Sequence, residues 1–332
     1  MSRTPHPPEF PRPRLGVSAC LLGESVRYDG GHKRHAFVVE ALAAHVDCIP
    51  FCPETGIGMG VPRPPIQLVG GRGTARALGV QDPAMDVTAR LQQYTDDRLA
   101  ALGTLDGFLF KKDSPSCGLR GVKLFAAPGR GMRRSGTGIF AAAVNTALPL
   151  LPLAQEDELD DPLQRDNFIT RLYTFRRWQV LLDRGLTAAT LESFHVAHRH
   201  LAMAHSQACA QRLSRLLRSR DDNAIVTTGR HYLQELLTGL AHPATRARHS
   251  IVLSDLAGRL APRPDSAHRS DLSRQLDAYR DGQLSLSEAL RALREQFRQC
   301  EPATPAGLGE AYLYPYPDSL RADQARSIMD EN

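Results

Sequence analysis

Three short apolar runs, each followed within a few residues by a cysteine set among glycine and proline, constrain this chain more than any other feature. Val46 to Phe51 leads into Phe51-Cys52-Pro53-Glu54-Thr55-Gly56. Leu15 to Val17 leads into Ser18-Ala19-Cys20-Leu21-Leu22-Gly23, and Gly107 to Phe110 precedes Ser114-Pro115-Ser116-Cys117-Gly118. Runs of this length bounded by breakers read as buried strands, and Pro53 and Gly56 place Cys52 and Glu54 on a loop at a strand's carboxyl end. In open α/β sheets that edge is where ligands bind. Three strand ends therefore converge on three thiols.

The surrounding pattern sets the fold class. Arg14 to Cys20 is a first strand and its turn, Ala36 to His45 is helix-like, and Asp86 to Ala101 carries apolar residues at helical spacing. Strands follow at Gly107 to Lys111 and Lys123 to Ala126, then a helix from Gly136 to Asn145. This alternation predicts an α/β N-terminal domain with a parallel sheet flanked by helices. Around Leu153 to Arg165 the chain turns acidic and proline-bearing, which marks a domain boundary. Beyond it helical patterns cover Asn167 to Arg184, Leu191 to Ser219, Asn223 to Leu240, Ala244 to Leu260, Asp271 to Tyr279 and Ser285 to Cys300, an all-α second domain. With 332 residues there is room for two cores, and the expected domains are 14–155 and 167–320.

No stretch has the uninterrupted apolar length of a membrane span, since Asn145, Pro149 and Pro152 break the most apolar one. The proline-rich first dozen residues lack the apolar centre of a signal peptide and read as a frayed tail of a cytoplasmic protein. Six cysteines in such a chain point to metal or redox chemistry rather than to a disulfide framework. A net charge of +5 favours an anionic partner. Between Arg165 and Arg259 fourteen arginines face seven acidic residues, which fits a nucleic-acid face or a solvated helical surface. All the lysines, Lys33, Lys111, Lys112 and Lys123, lie among the cysteine motifs and suggest point charges near a site.

Arg27-Tyr28-Asp29-Gly30-Gly31-His32-Lys33-Arg34 is a glycine-hinged loop dense in donors, suited to a phosphate or a base edge, or else a surface turn. Gly56-Ile57-Gly58-Met59-Gly60 is no dinucleotide fingerprint, because the prolines after it forbid the helix one requires; a close-packed loop around a cofactor fits better. Three thiolates can hold a [4Fe-4S] cluster with one iron left open, or zinc with an open fourth position; buried structural cysteines are the plain alternative. Cys48 reads as core and Cys300 as structural. His195, His198, His205 and Cys209 share one helical stripe, a metal-binding, phosphate-contacting or core-packed face.

Val17 to Gly23, Val26 to Lys33, Cys52-Pro53-Glu54 with Pro62-Arg63-Pro64-Pro65, Asp86-Val87-Thr88 and Ser114 to Gly118 together resemble the thiouracil desulfidase family over roughly residues 14 to 155. Phe194 to His205 and Tyr314-Pro315-Tyr316-Pro317 resemble the YbgA-like helical domain found fused to it. The resemblance implies a desulfidase of 4-thiouridine in tRNA, with the helical half holding the RNA and no stable protein partner or membrane involved. It implies that Cys20, Cys52 and Cys117 ligate a [4Fe-4S] cluster whose fourth iron takes the substrate's sulfur. Glu54 is then the base activating water, and Ser114 positions substrate or water, with Ser116 as the alternative hydroxyl. Arg27, Tyr28, Asp29, His32, Lys33 and Ser116 are the expected substrate-binding residues. Two rival readings are a desulfidase of free 2-thiouracil or thiouridine nucleotides with a regulatory helical half, and a non-catalytic metal-bearing RNA-binding protein. Glu54, two residues from a thiolate it would repel, argues against the last.

Overall fold

The computed structural model of the chain describes residues 9–71, 73–220, 224–260, 266–300 and 309–321. The first eight residues of the expected tail fall outside them. The chain forms two compact units, one of Arg12–Phe168 and one of Ile169–Asn332 together with Met1–Pro11, and passes from one to the other within a single helix.

The first unit contains β1 (Arg14–Ser18), β2 (Asp47–Phe51), α1 (Pro53–Gly56), β3 (Ile66–Val69), β4 (Arg76–Gly79), α2 (Thr88–Asp97), α3 (Leu99–Leu102), β5 (Gly107–Phe110), β6 (Val122–Phe125), β7 (Arg133–Gly136), α4 (Ile139–Ala147) and β8 (Leu153–Gln155). One sheet has the order β2-β1-β5-β8 and is parallel throughout. Pro50, which has no N–H to give a ladder, is tolerated because β2 is an edge strand. Register aligns the carboxyl ends: Ser18 faces Phe51, Val17 faces Leu109, and Phe110 faces Gln155. The chain leaves β1 toward β2 on one side and returns to β5 on the other, so the switch in strand order lies between β1 and β5. That is where open α/β sheets leave a crevice. Beneath it Phe51, Phe108, Phe110 and Phe140 pack ring on ring, with Phe108 and Phe110 stacked at 4.2 Å.

A second sheet, β4-β3-β6-β7, was not apparent from periodicity. Its strands are four residues long, and β7 reads Arg133-Arg134-Ser135-Gly136, with no apolar alternation to mark it. The acidic segment read as the domain boundary begins inside the first unit: Leu153–Gln155 completes the parallel sheet, and Glu156 after it is buried.

The second unit is helical: α5 (Pro162–Arg184, entering from the first unit), α6 (Ala188–His205), α7 (Gln207–Arg218), α8 (Ile225–Leu240), α9 (Arg246–Gly258), α10 (Ser266–Arg280), α11 (Leu286–Cys300) and α12 (Glu310–Leu313). The single helix expected from Leu191 to Ser219 breaks at Ser206, whose extended backbone caps α7 and whose hydroxyl accepts from the Cys209 N–H. Trp178 packs edge-on against Phe194 at 5.2 Å and lies parallel to Tyr232 at 6.0 Å. The closing aromatic segment packs inward, with Tyr312 and Tyr316 buried. Among the described residues no helix is long and apolar enough to cross a membrane.

A candidate active site at the switch point

Cys20 follows β1 by two residues, Cys52 follows β2 by one, and Cys117 ends the turn after β5. All three are free thiols and line one cavity of about 550 Å³. The parallel sheet contributes its strand ends, and β3 and β6 supply the facing wall through Ile66, Gln67, Val122, Lys123 and Phe125. Among the described residues no three His, Cys, Asp or Glu are grouped tightly enough to hold a single metal ion. The three thiols line one chamber. Burial pushes the Cys20 thiol up to about 11, against the lowering pull of Lys111, and Cys52 adds to the rise. Burial likewise holds Cys117 well above the ordinary thiol value, with Glu54 and Cys52 adding to it. Three thiols from separate loops, two of them held protonated by burial, suit a shared, positively charged iron core, whose binding must displace their protons.

Glu54 does not sit on a loop as its flanking breakers suggest. It lies in α1, a single helical turn that Pro53 opens, since proline fits the first helical position. Its Oε2 accepts from Arg63 Nε at 2.8 Å and its Oε1 from Ser116 Oγ at 2.8 Å. The pair is desolvated, with the Arg63 side chain 3% and the Glu54 side chain 13% exposed. Arg63 also donates to the carbonyls of Gly60 and Val26, at 3.0 and 2.9 Å, tying two loops to the carboxylate. Two engaged oxygens leave a carboxylate further lone pairs for a water in the cavity.

The two serines have different positions. Ser114 lines the cavity, and its Oγ accepts from the backbone N–H groups of Ser116 and Cys117 at 3.2 and 3.1 Å, leaving its own proton to donate. Ser116 is fully buried, outside the lining, and serves Glu54. Of the expected substrate-binding residues, Arg27, Tyr28 and Lys33 line the cavity. Asp29 is turned to its own loop, accepting from Gly31 N–H at 3.1 Å, and His32 Nδ1 accepts from Arg34 N–H at 3.2 Å.

The four lysines of the chain, Lys33, Lys111, Lys112 and Lys123, all line this cavity. Lys111 is fixed by Glu156, which also accepts from the backbone N–H of Lys112, while the Lys111 N–H donates to Ser18 Oγ at 2.9 Å across the switch point. Glu156 and Arg63 went unassigned in the sequence. Glu156 stood in an acidic run that reads as a domain boundary, and only the ordered Pro62-Arg63-Pro64-Pro65 motif set Arg63 apart. The glycine loop before Arg63 does not pack around a ligand: Gly58 and Gly60 supply left-handed turns at φ 79° and 77°, and of the 56–65 stretch only Arg63 and Pro65 reach the cavity.

The histidine stripe of the helical unit forms no metal site. His195 accepts from Tyr232 Oη at 3.0 Å and donates through Nε2 to Ser214 Oγ at 3.2 Å, because the Ser214 proton is committed to the Ala210 carbonyl. His198 donates to the Phe194 carbonyl at 2.8 Å, His205 to the His242 carbonyl at 2.7 Å, and Cys209 to the Glu235 carbonyl at 3.3 Å. All four are buried, so they contact no phosphate, and the break at Ser206 puts Cys209 on a different helix.

A thiol-lined cavity at the switch point of a parallel sheet defines the first unit as a ligand-binding α/β domain. Residues 15–156 match the 2-thiouracil desulfurase family and residues 199–317 a family described as a protein of unknown function, DUF1722. The chain thus joins a domain of the 2-thiouracil desulfurase family to a DUF1722 domain. It is 27% identical over 167 residues to the uncharacterized protein YbgA of Escherichia coli K12, covering 48% of this chain and 96% of that one. It is 28% identical over 158 residues to the uncharacterized protein YbbK of Bacillus subtilis 168, covering 44% of this chain and 98% of that one. A solved structure of a [4Fe-4S]-dependent thiouracil desulfidase is 30% identical, with a TM-score of 0.38, and the alignment covers 45% of this chain and 95% of that one.

Proposed function

We propose that this protein is a desulfidase that holds a [4Fe-4S] cluster on Cys20, Cys52 and Cys117 and converts 4-thiouridine in tRNA to uridine. The observation that carries the reading is the meeting, in one cavity, of three thiols, a half-buried carboxylate and all four lysines of the chain. Bound there, a cluster with one iron open supplies a soft Lewis acid for a thiocarbonyl sulfur. The chain's own residues do the rest. Glu54, locked by Arg63 and Ser116, takes a proton from the water that adds to C4, and Ser114 Oγ orients that water or the base. Water supplies the oxygen and two hydrogens, sulfur leaves as hydrogen sulfide, and no electrons are exchanged. The ammonium groups of Lys33 and Lys123 favour a phosphate-bearing substrate over a neutral free base.

The second reading, free 2-thiouracil as substrate, draws on the name of the matching family. The test is turnover by anaerobically purified full-length protein of three substrates: 4-thiouridine-containing tRNA, 4-thiouridine monophosphate and 2-thiouracil. It is followed by loss of the thiocarbonyl near-ultraviolet absorbance and by released sulfide. The tRNA is expected to turn over fastest at low salt and to lose most as salt rises. Turnover confined to 2-thiouracil at every salt concentration contradicts the proposal.

A further inference from the structure

The second sheet carries an element the reaction does not use. β6 and β7 are antiparallel, and the ten residues 126–135 between Phe125 and Gly136 are all exposed. Ala126 N–H donates to the Arg130 carbonyl at 3.0 Å and Arg130 N–H to the Ala127 carbonyl at 2.9 Å, closing a tight turn through Pro128 and Gly129. Gly129 and Gly131 supply the left-handed conformations at φ 70° and 63°. The result is a built hairpin whose turn carries Arg130 and Met132, with Met132 49% exposed, and whose second strand opens at Arg133. From Arg120 to Gly138 the sequence holds five basic residues and no acidic one.

The hairpin is anchored to the cavity rim. Lys123 and Phe125 on β6 line the cavity, Lys123 is paired in register with Arg134, and Arg134 binds Asp113 of the rim at 2.7 Å. Arg134 is thus spent on holding the hairpin's base, and Arg120 on Glu158. Arg130 and Arg133 are exposed and outside the cavity lining, Arg133 in register with Leu124 and so on the face opposite Lys123 and Phe125.

We infer that the β6–β7 hairpin is an RNA-gripping arm whose Arg130 and Arg133 bind backbone phosphates flanking the nucleotide held in the cavity. The inference rests on the tRNA reading above and adds that the desulfurase-family unit grips the RNA itself. A nucleotide inserted to the strand ends drags its neighbours across the rim, so a polyanion must run where the cationic track of Lys33, Lys123 and the hairpin lies, Lys112 being paired with Asp157. A free nucleotide ends inside the cavity and does not reach the tip. An acidic protein lacks a reason to follow a track that begins inside a base-sized chamber, and Met132 at the tip offers an apolar contact to an unstacked base.

The test uses full-length, cluster-loaded protein and its R130S/R133S and R130K/R133K variants. Affinity for 4-thiouridine-containing tRNA is measured against salt, alongside turnover of 4-thiouridine monophosphate. In the serine variant tRNA affinity at 0.1 M salt falls about tenfold or more and the log–log salt slope becomes shallower by about 1.4 to 1.8, the loss of two phosphate contacts. Monophosphate turnover stays unchanged, and the lysine variant keeps most of the slope. Unchanged tRNA affinity and slope in the serine variant overturn the inference, as does an equal loss on tRNA and on the monophosphate, which makes the hairpin part of the chamber. Wild-type protein that binds no tRNA overturns both the inference and the substrate reading beneath it, a result visible before any variant is made.

Discussion

The two units each carry a set of metal-capable side chains, and the fold treats the sets in opposite ways. In the α/β unit Cys20, Cys52 and Cys117 are 32 and 65 residues apart, read from their numbers, with no motif spacing, yet sheet register brings them to one cavity. In the helical unit His195, His198, His205 and Cys209 have the spacing of a binding face, yet each makes its own separate hydrogen bond in the core. Parallel strands all end on one edge, so residues after different strands must meet there. A helical stripe only points residues at whatever packs against it, and here that is backbone carbonyls, Ser214 and Tyr232.

E54Q keeps size and most hydrogen bonding but removes the base, so desulfidation falls by about 10² to 10⁴ with iron and sulfide content retained. Wild-type turnover by E54Q leaves Ser114 and water as the only chemical groups and removes the reason for the Arg63 and Ser116 clamp.

A smaller effect separates the units by pH. Burial holds His195 down to about 4, and burial together with the nearby Arg177 holds His198 at about 3; His249 is likewise held at about 3 by burial and His205. Their folded values lie below the unfolded value of about 6.5. The stability they contribute is therefore fully present above pH 6.5 or so and is lost as pH falls toward the folded values, by up to about 1.4 kcal/mol per pH unit for each histidine. The single tryptophan, Trp178, packs in this unit against Phe194 and Tyr232 and reports it alone. Its emission is expected to shift to the red between roughly pH 6 and 4, ahead of any loss of the cysteine-bound chromophore. Emission unchanged to pH 4 shows that these rings are not carried neutral in the core.

How much of this was legible in the sequence follows from the same contrast. The parallel strands were readable because Val17, Leu109 and their neighbours form compact apolar runs ended by glycine and proline, and the thiols, Glu54 and the clustering of lysine were visible beside them. Periodicity could not reveal β7, three of whose four residues are exposed, or the role of Glu156, which depends on β8 lying beside β5. The helix break at Ser206 was hidden because the apolar pattern runs through it, although serine is a good cap. The arginine excess of the helical unit overstated its free charge: Arg212, Arg220 and Arg259 pair with Glu235, Glu192 and Asp255, and Arg246 and Arg248 donate to backbone carbonyls. Composition counts charges but not partners.

In the proposed function, three thiols distant in sequence act as one ligand set. Iron, sulfide and zinc analysis of anaerobically purified protein, with C20S, C52S and C117S beside it, tests this most directly. The expected result is about four iron and four sulfide per chain in the wild type and loss of the cluster in each variant. Stoichiometric zinc without sulfide, or full iron retention in any one of the three variants, contradicts it.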